Sequence, residues 1–395
     1  MQFLVSAGEA SGDLYASGVV RYLGQAYPTA RFYGCAGPKL KAEGVHPVID
    51  SASIAVVGLA EVVGHLPRIY REYRKLLSYS DRNLPAAALL TDSPDFHLRL
   101  ARQLKRRNIP IFYLVAPQVW AWRQGRVKCI ARLVDKLFCL FPFEERWFRE
   151  RGVDATYIGH PLAFLVRKSS SRDAFLERHH LPRDRKLIVL LPGSRGGEIA
   201  RHVPILLDAV RLLRSRFHLS VILATPGGFR SREALSTFRE RTNSLSIQII
   251  ESDTWDSIAH SDLALAASGT VTVEAAVLGT PMVTFYRVNP LSWWAGRRLV
   301  KVPFLSMVNL IAERRIVPEL IQNDMTSERI ADEAAQLLTN EKLADRMRAD
   351  LARVRSALTR EGDPLKRAAD VFIETCQIKY NICPEAHELV REKMN

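Results

Sequence analysis

Short apolar runs alternate with longer amphipathic segments along the chain, and this alternation predicts the fold class. The first part contains the runs FLVSA, RFYGCA, AAALLTD, IFYLVA and LFCLF, and the second contains LIVLLPG, LSVILAT, IQII, LALAA and MVTFY. Strand-length runs separated by helix-length segments are typical of βαβ units. We therefore predict an α/β protein with parallel sheets and helices on both faces.

The strand series runs through twice, which predicts two similar domains. The seam lies near residues 159–161, and the polar stretch 167–173 that follows suits a linker. We assign 1–165 to a first Rossmann-like domain, completed by the C-terminal helices 362–395, and 166–361 to a second. Helical spacing marks 326–339, 341–358 and 365–379. Two such domains facing each other leave a cleft at the carboxyl ends of their strands, where ligands bind in such folds.

Composition indicates that the partner is acidic, but it does not distinguish between the kinds of acidic partner. Of the 395 residues 47% are hydrophobic and 25% charged, as in soluble globular proteins. The formal net charge of +14 predicts an acidic partner, which is nucleic acid, an anionic membrane surface or a phosphorylated substrate. No apolar run approaches the roughly 20 residues that span a bilayer, so any membrane contact is expected to be peripheral.

The start of the chain and the cysteines both indicate a cytoplasmic protein. MQFLVSAGEASGD has no basic segment before a short apolar stretch, so it predicts a first strand and not a signal peptide. No CxxC pair or metal-type spacing occurs among the five cysteines, which predicts reduced thiols. These cysteines are Cys35, Cys129, Cys139, Cys376 and Cys383.

The turn AGEASGD, residues 7–13, links the first strand to a helix. Gly8 and Gly12 permit close approach of the backbone, and Ser11 and Asp13 can cap a helix start. Such a turn offers N–H groups to an anion or a sugar hydroxyl. The alternative is a tight capped turn without a ligand. The spacing is not GxGxxG, so a dinucleotide is not indicated.

The turn LLPGSRGGEI, residues 190–199, has the same layout at the first strand of the second half. Arg195 lies in the turn itself, where a guanidinium can hold a phosphate oxygen. The alternative is a solvated arginine on a loop. A Walker motif would need Gly-Lys-Ser/Thr, which is absent from this turn.

A third turn, Ser268-Gly269-Thr270, follows the strand LALAA. Thr270 is predicted to cap a helix over about 271–277, whose N–H groups suit a diphosphate. Glu274 lies one turn further, where its carboxylate can bind ribose hydroxyls. The alternative for Glu274 is an acid that only complements the helix dipole.

The segment TDSPDFHLR, residues 91–99, supplies two carboxylates after another strand. Asp92 and Asp95 flank a proline, and either can act as general base for an attacking hydroxyl. The alternative is an Asx-turn followed by a helix cap. His97 begins the next helix, where a capping or surface role is more usual than ligand binding.

Two further segments suggest an anionic or lipid surface. Trp120 and Trp122 lie next to Arg123 and Arg126, within a region, 99–151, of thirteen Lys/Arg against four Asp/Glu. Aromatic residues among basic ones suit nucleic acid or anionic lipid. The stretch 54–66 is unusually apolar and is followed by RIYREYRK. It suits an interfacial membrane element, with a core helix as the alternative.

Together these segments resemble one family. AGEASGD, TDSPDFH, PQVWAWRQGR, FPFE, YIGHP, GSRGGEI, ASGTVTVEAAVLGTPMV and VNLIAERRIVPELIQ occur in that order, from the first strand to about residue 325. They are similar to those of the lipid-A-disaccharide synthases of Gram-negative bacteria. The resemblance implies the GT-B fold, in which two Rossmann-like domains face each other across a cleft.

The same resemblance implies the reaction. The family transfers 2,3-diacylglucosamine from UDP to the 6-hydroxyl of 2,3-diacylglucosamine 1-phosphate (lipid X), with inversion and without a metal or other cofactor. Its members are peripheral on the cytoplasmic face of the inner membrane, an anionic surface. We expect these substrates and that surface as partners and no nucleic acid, with a homodimer as one option for the assembly.

Roles follow for the residues already singled out. The base is Asp95, with Asp92 second. The UDP site comprises Gly193, Ser194, Arg195, Ser268, Gly269, Thr270, Glu274, Asn309 and Glu319. The acceptor or sugar side comprises Gly8, Glu9, Ser11, Gly12, Asp13, Trp122 and Arg123. The acyl and membrane surface comprises Val56, Val57, Leu59, Val62, Val63, Leu66 and Arg68.

One position departs from the family, which usually has Asn where this chain has His97. A side chain that only caps a helix would leave the site unchanged, whereas contact with the acceptor would alter substrate binding. Two other classes of function compete with the transferase. They are another UDP-sugar enzyme, either a peptidoglycan-type N-acetylglucosaminyltransferase or a UDP-sugar 2-epimerase, and a basic nucleic-acid-binding protein.

Overall fold

The computed structural model describes residues 1–54, 59–225, 236–251, 253–290, 293–294 and 302–384, with the backbone alone for 59–65. The chain divides into two compact units. The first comprises Met1–Pro161 and Arg360–Asn395, and the second is Leu162–Thr359. The seam therefore lies at the end of the Gly-His-Pro stretch that the sequence indicated.

The first unit is built on a seven-stranded parallel sheet in the order β3-β2-β1-β4-β5-β6-β7. Its strands are β1 (Gln2–Ala7), β2 (Arg31–Ala36), β3 (His46–Asp50), β4 (Ala87–Thr91), β5 (Ile111–Leu114), β6 (Lys136–Cys139) and β7 (Ala155–Tyr157). The described helices up to the seam are α1 (Ala10–Ala26), α2 (Pro38–Ala42), α3 (Ser51–Ile54), α4 (Leu59–Arg82), α5 (Pro94–Lys105), α6 (Val127–Leu133) and α7 (Pro142–Arg149). Strands β4 and β5 are buried along their whole length, which explains why they are continuous apolar runs.

The second unit has a six-stranded parallel sheet in the order β10-β9-β8-β11-β12-β13. Its strands are β8 (Lys186–Leu191), β9 (Leu219–Thr225), β10 (Gln248–Glu251), β11 (Leu263–Ala267), β12 (Met282–Tyr286) and β13 (Glu319–Ile321). The described helices from the seam onward are α8 (Pro161–Leu165), α9 (Arg172–Arg178), α10 (Gly196–Arg214), α11 (Arg239–Ser244), α12 (Thr254–Ala259), α13 (Thr270–Leu278), α14 (Met307–Ile311), α15 (Ser327–Thr339) and α16 (Glu341–Leu358). In each sheet the strand that begins the unit is third in the order, and later strands are added on both of its sides, as in a doubly wound fold.

The final described helix, α17 (Pro364–Tyr380), belongs to the first unit and packs on α1. The ring of Phe372 is 1% exposed and lies 4.0 Å from that of Phe112 and 5.8 Å from that of Phe3, measured between centroids. Tyr22 also donates a hydrogen bond of 2.8 Å to Asp363, at the start of this helix. The core of the first unit therefore requires a segment that follows the second unit in the chain.

All ten predicted strands are present, and three further strands were not predicted. Those three are short or lie at a sheet edge: β3 contains Pro47, while β7 and β13 have three residues each. Proline is confined to edge strands because it cannot donate to the ladder. None of the described helices is long and apolar enough to cross a bilayer.

Replacing the aromatic anchor of α17 is expected to destabilise the first unit. Phe372→Ala should lower its free energy of unfolding by about 3–5 kcal/mol, because a fully buried ring leaves a cavity between two sheet aromatics. Ile378→Ala on the same helix removes a side chain that is 74% exposed. That control should stay within about 0.5 kcal/mol of the parent protein. Urea denaturation measures both, and equal midpoints for the two variants would contradict this packing.

Candidate active site

In the first sheet, the candidate residues lie where the order of the parallel strands reverses. Strands β1 and β4 are neighbours, and their connections run to opposite sides, towards β2 and β5. Ligands of doubly wound sheets bind at this switch point, beyond the carboxyl ends of the strands. Gly8 and Glu9 follow β1 there, and Asp92 and Ser93 follow β4.

Asp92 joins these two turns. Its Oδ1 accepts a hydrogen bond of 2.9 Å from the N–H of Gly8, and its Oδ2 accepts one of 3.1 Å from the N–H of Glu9. Burial raises the pKa of Asp92 to about 8, and the nearby Glu9 carboxylate acts in the same direction. The two N–H groups stabilise the charged form and oppose that shift. Asp92 therefore keeps its proton at neutral pH more readily than an ordinary carboxyl group does.

The two glycines of the first turn make room for this carboxylate. A Cβ on Gly12 would lie 1.8 Å from Asp92 Oδ2, and one on Gly8 would lie 2.2 Å from Ser93 Oγ. The sequence suggested that these glycines admit a ligand to the backbone. In the structure, the groups that approach them belong to the protein itself, namely the Asp92 carboxylate at both glycines and the Ser93 hydroxyl at Gly8.

Two buried side chains fix the backbone of the Asp92 turn. Both Asp92 and Ser93 have left-handed backbone angles, with φ of 53° and 38°. The carbonyl of Asp92 accepts hydrogen bonds from Tyr113 Oη and from His97 Nδ1, the latter at 2.9 Å. Since this carbonyl only accepts, Nδ1 carries the proton, and Nε2 accepts from Ser6 Oγ at 2.7 Å.

His97 thus has a role that the sequence did not predict. It is 0% exposed, and burial lowers its pKa to about 4, so the ring is neutral at physiological pH. It is not a surface residue, as its place at a helix start had suggested. Where the family usually has Asn, this chain therefore has a buried His97 that holds the backbone of the Asp92 turn and does not form part of an exposed surface.

Asp13 is also used inside the fold. It is 2% exposed, and its carboxylate accepts hydrogen bonds from the N–H groups of Gly37, Lys39 and Leu40 at 2.8, 2.8 and 3.2 Å. It therefore caps α2, not α1 as expected, and both of its oxygens accept backbone N–H groups within the fold. Ser11 is partly exposed and Glu9 is exposed, so both are accessible from the switch point.

Asp95 lies in the first turn of α5 and has a different environment from Asp92. Its side chain is 63% exposed and forms ion pairs with Arg126 and, at 3.5 Å, with Arg123. The Arg123 guanidinium lies 4.5 Å from the centroid of the Trp122 ring. The predicted acceptor residues Trp122 and Arg123 therefore lie beside one of the two predicted bases.

A buried acid holds the segment that carries these arginines. Glu144 is 1% exposed and accepts a hydrogen bond of 3.0 Å from Trp120 Nε1. It also accepts bonds of 3.1 Å from the N–H groups of Leu140 and Phe141 at the start of α7. Burial raises the pKa of Glu144 to about 7. The motif FPFE contains this residue, but nothing in that motif indicates a bond to a tryptophan.

The second sheet repeats the arrangement with other residues. Strands β8 and β11 are neighbours at its switch point, followed by the turns at 192–195 and 268–270. Arg195 is the N-cap residue of α10, and its side chain is 43% exposed. Gly193 and the exposed Ser194 precede it in the same turn. The predicted phosphate residues therefore surround the start of a long helix.

Two residues that the sequence did not indicate hold this turn. Glu198 accepts hydrogen bonds from the N–H of Arg195 at 3.4 Å and from Tyr286 Oη at 3.0 Å. His202 is fully buried and contacts the carbonyl of Pro192 through Nδ1 at 2.7 Å. Its Nε2 accepts from the N–H of Arg287 at 3.1 Å. The turn after β8 is thus tied to the chain that follows β12.

The turn after β11 begins α13 one residue earlier than predicted. The helix starts at Thr270 and its N-cap is Gly269, so Thr270 is not the cap and its side chain is exposed. Ser268 Oγ donates a hydrogen bond of 2.9 Å to the carbonyl of Leu305. One turn into the helix, Glu274 accepts a hydrogen bond from Trp255, and burial raises its pKa to about 7.

Asn309 and Glu319 support this turn from within the fold. Asn309 is 0% exposed and forms four hydrogen bonds, to Ile316, to Val317 twice and to Glu319. Glu319 also accepts from the N–H groups of Leu305 and Ser306 at 3.1 and 2.9 Å. The amide of Asn309 therefore forms its hydrogen bonds within the fold. Both residues position the chain at Leu305, to which Ser268 is bonded.

The predicted membrane surface is only partly described. Val56 and Val57 lie outside the described residues, and for Leu59, Val62 and Val63 only the helical backbone of α4 is described. Leu66 and Tyr70 further along this helix are 46% and 61% exposed, and Arg68 is exposed. In the part of the chain that the structure describes, no group of three or more His, Cys, Asp or Glu is arranged to hold a metal.

A pair of identical substitutions on α1 tests the contact between Gly12 and Asp92. Gly12→Ala is expected to displace the Asp92 carboxylate and lower catalytic activity about 100-fold, because misplacement by about 1 Å has that effect. Gly24→Ala is the control, since a Cβ there meets nothing within 4 Å. It should leave activity unchanged and raise stability by up to about 1 kcal/mol. Equal activity of the two variants in a steady-state assay would contradict the contact.

Comparison with known proteins matches nearly the whole chain to one family. The model of the lipid-A-disaccharide synthetase family matches residues 3–369. A lipid-A-disaccharide synthase of Solibacter usitatus (strain Ellin6076) is 55% identical over 371 residues, which are 93% of this chain and 96% of that protein. Another, of Koribacter versatilis (strain Ellin345), is 42% identical over 361 residues, or 91% of this chain and 93% of that protein.

Solved structures with similar folds have much lower identity. The UDP-GlcNAc 2-epimerase of Neisseria meningitidis, bound to UDP-GlcNAc, has a TM-score of 0.61 at 14% identity, covering 95% of this chain and 99% of that chain. A glycosyltransferase of Rickettsia africae ESF-5 has a TM-score of 0.59 at 13% identity, covering 95% and 98%. At these identities the likeness concerns the fold, and it confirms the predicted GT-B class. On the family match and the two relatives, the chain belongs to the lipid-A-disaccharide synthase family and is a glycosyltransferase.

Proposed function

We propose that the protein joins UDP-2,3-diacylglucosamine to 2,3-diacylglucosamine 1-phosphate, giving the β-1,6-linked disaccharide 1-phosphate and UDP. The observation that carries this proposal is an exposed, arginine-flanked carboxylate, Asp95, at the switch point of the first sheet. A transfer with inversion requires a base at the acceptor hydroxyl, together with cations or dipoles at the departing diphosphate. The helix start at Arg195 in the second unit suits the diphosphate.

Asp95 suits the role of base better than Asp92. Both oxygens of Asp92 already accept backbone N–H groups, whereas the Asp95 carboxylate is exposed to an incoming hydroxyl. In the reaction, Asp95 takes the proton of the acceptor 6-hydroxyl. At the same time the oxygen of that hydroxyl forms the bond to the anomeric carbon of the donor. The bond from that carbon to the diphosphate breaks, and UDP leaves with the electron pair.

The second unit is proposed to hold the donor nucleotide. Arg195 and the exposed Ser194 bind phosphate oxygens at the start of α10, together with the N–H groups at the start of α13. Glu274 accepts hydrogen bonds from the ribose hydroxyls, with its carboxylate oriented by Trp255. Asn309 and Glu319 act on the donor only through the turn at Ser268.

The first test is disaccharide formation from UDP-diacylglucosamine and radiolabelled lipid X in detergent micelles with EDTA. Asp95→Ala should retain UDP binding and lose turnover by about 10²–10⁴-fold, as expected for a general base. Asp81→Ala, which removes another exposed and ion-paired aspartate of the same unit, should have little effect. No product from folded wild-type protein that binds UDP would overturn the proposed reaction. Wild-type turnover of the Asp95 variant, with loss in Asp92→Asn, would assign the base to Asp92.

The basic face of α4 is proposed to bind the anionic cytoplasmic face of the inner membrane peripherally. Arg68, Arg71, Arg74 and Lys75 are exposed on this helix, next to the exposed Leu66 and Tyr70. Each basic residue near an anionic membrane surface contributes about 1 kcal/mol to binding. Exposed aromatic and aliphatic side chains strengthen binding further by inserting into the membrane interface.

Replacing these four basic residues by Gln should weaken sedimentation with anionic phospholipid vesicles by at least about tenfold. The control replaces four exposed basic residues of α16, Lys342, Arg346, Arg353 and Arg355, and so changes the net charge equally. Equal loss in both variants would show that net charge, and not this face of α4, drives binding.

A further inference from the structure

Two arginines converge on a single carboxylate in the first unit. Arg126 and Arg123 both pair with the same oxygen of Asp95, Oδ1, and their side chains are 26% and 35% exposed. The positive charge of this cluster therefore exceeds the negative charge of Asp95 by one. An isolated surface ion pair gains little from a second arginine, because each exposed pair contributes at most about 1 kcal/mol.

The cluster is also held more firmly than a solvated ion pair requires. Arg123 has a left-handed backbone, with φ of 55°, and its guanidinium lies over the ring of Trp122. Gln124 Nε2 donates a hydrogen bond of 3.0 Å to the carbonyl of Trp120, and the indole Nε1 of Trp120 donates one to the buried Glu144. Unfavourable backbone angles persist where surrounding structure enforces them, and they are frequent at ligand sites.

We propose that Arg123 and Arg126 bind the anomeric phosphate of the acceptor, and that this binding releases Asp95 Oδ1 to the acceptor 6-hydroxyl. The inference rests on the proposed function, since it concerns the acceptor of that reaction. The 6-hydroxyl and the anomeric phosphate both flank the ring oxygen of one pyranose, so their binding groups are neighbours. A guanidinium fork matches phosphate oxygens, and the dianion supplies more charge than Asp95 alone.

This arrangement makes the enzyme selective for a phosphorylated acceptor. Without the phosphate both arginines remain on Asp95 Oδ1 and neutralise the charge of the carboxylate, which weakens it as a base. With the phosphate bound, the guanidinium groups are shared, and Oδ1 can accept the proton while the glycosidic bond forms. The phosphate is thus recognised at the same step that prepares the base.

The experiment compares two acceptors that differ only in this group, lipid X and the same diacylglucosamine with a free anomeric hydroxyl. Wild-type protein should prefer lipid X in kcat/KM, and Arg126→Ala and Arg123→Ala should each reduce that preference by about 10- to 100-fold. Arg126→Lys should restore part of it, because charge is kept and the fork is lost. Arg132→Ala is the matched control, since its exposed side chain contacts only the carbonyl of Lys128 among the described hydrogen bonds.

The decisive quantity is the ratio of kcat/KM for lipid X to kcat/KM for the acceptor without phosphate. Each arginine also contacts Asp95, so replacing either one changes turnover with both acceptors. A loss of equal size on both acceptors would overturn the phosphate site and assign the arginines to the base alone. A wild-type enzyme that uses both acceptors equally would also overturn it. Absence of disaccharide from lipid X with wild-type protein would instead refute the proposed function, so the two failures are distinct.

Discussion

The hydrogen bonds of the Asp92 carboxylate to the N–H groups of Gly8 and Glu9 are the constraint on which the first unit's site depends. They join the turns after the two central strands, and they need two glycines to admit the carboxylate. The carbonyl of the same residue is held by His97 and Tyr113 from the core. With backbone and side chain both fixed, the following turn can present the exposed Asp95.

In the second unit, different side chains also fix the turns that follow the central strands. There the turn after β8 is tied to later parts of the chain by Glu198 and His202, and the turn after β11 by Ser268 and Glu319. In both units a buried histidine in its neutral form bridges a backbone carbonyl and a second group. A neutral imidazole is suited to this, because it donates at one nitrogen and accepts at the other.

The strands and the switch-point turns could be predicted from the sequence, because buried parallel strands are continuous apolar runs and their turns are rich in glycine. Short edge strands such as β3 could not, since Pro47 and exposed positions interrupt the pattern. At the candidate site, the sequence pattern pointed to Asp92, Asp95 and Arg195 as candidates, but it did not indicate the side chains that bond to them in the structure. Asp13 and Asn309 illustrate the reason. A buried polar side chain that bonds distant backbone looks, in sequence, the same as one that faces a ligand.

The return of α17 to the first unit has a consequence for biosynthesis. The second unit is one continuous stretch, so all its residues are synthesised before those of α17. Until Phe372 emerges, the aromatic surface formed by Phe3 and Phe112 lacks the ring that covers it. Exposed apolar surface of this kind favours misassembly during synthesis. The first unit therefore remains incomplete while the whole second unit is translated, and a chaperone would act on it during this interval.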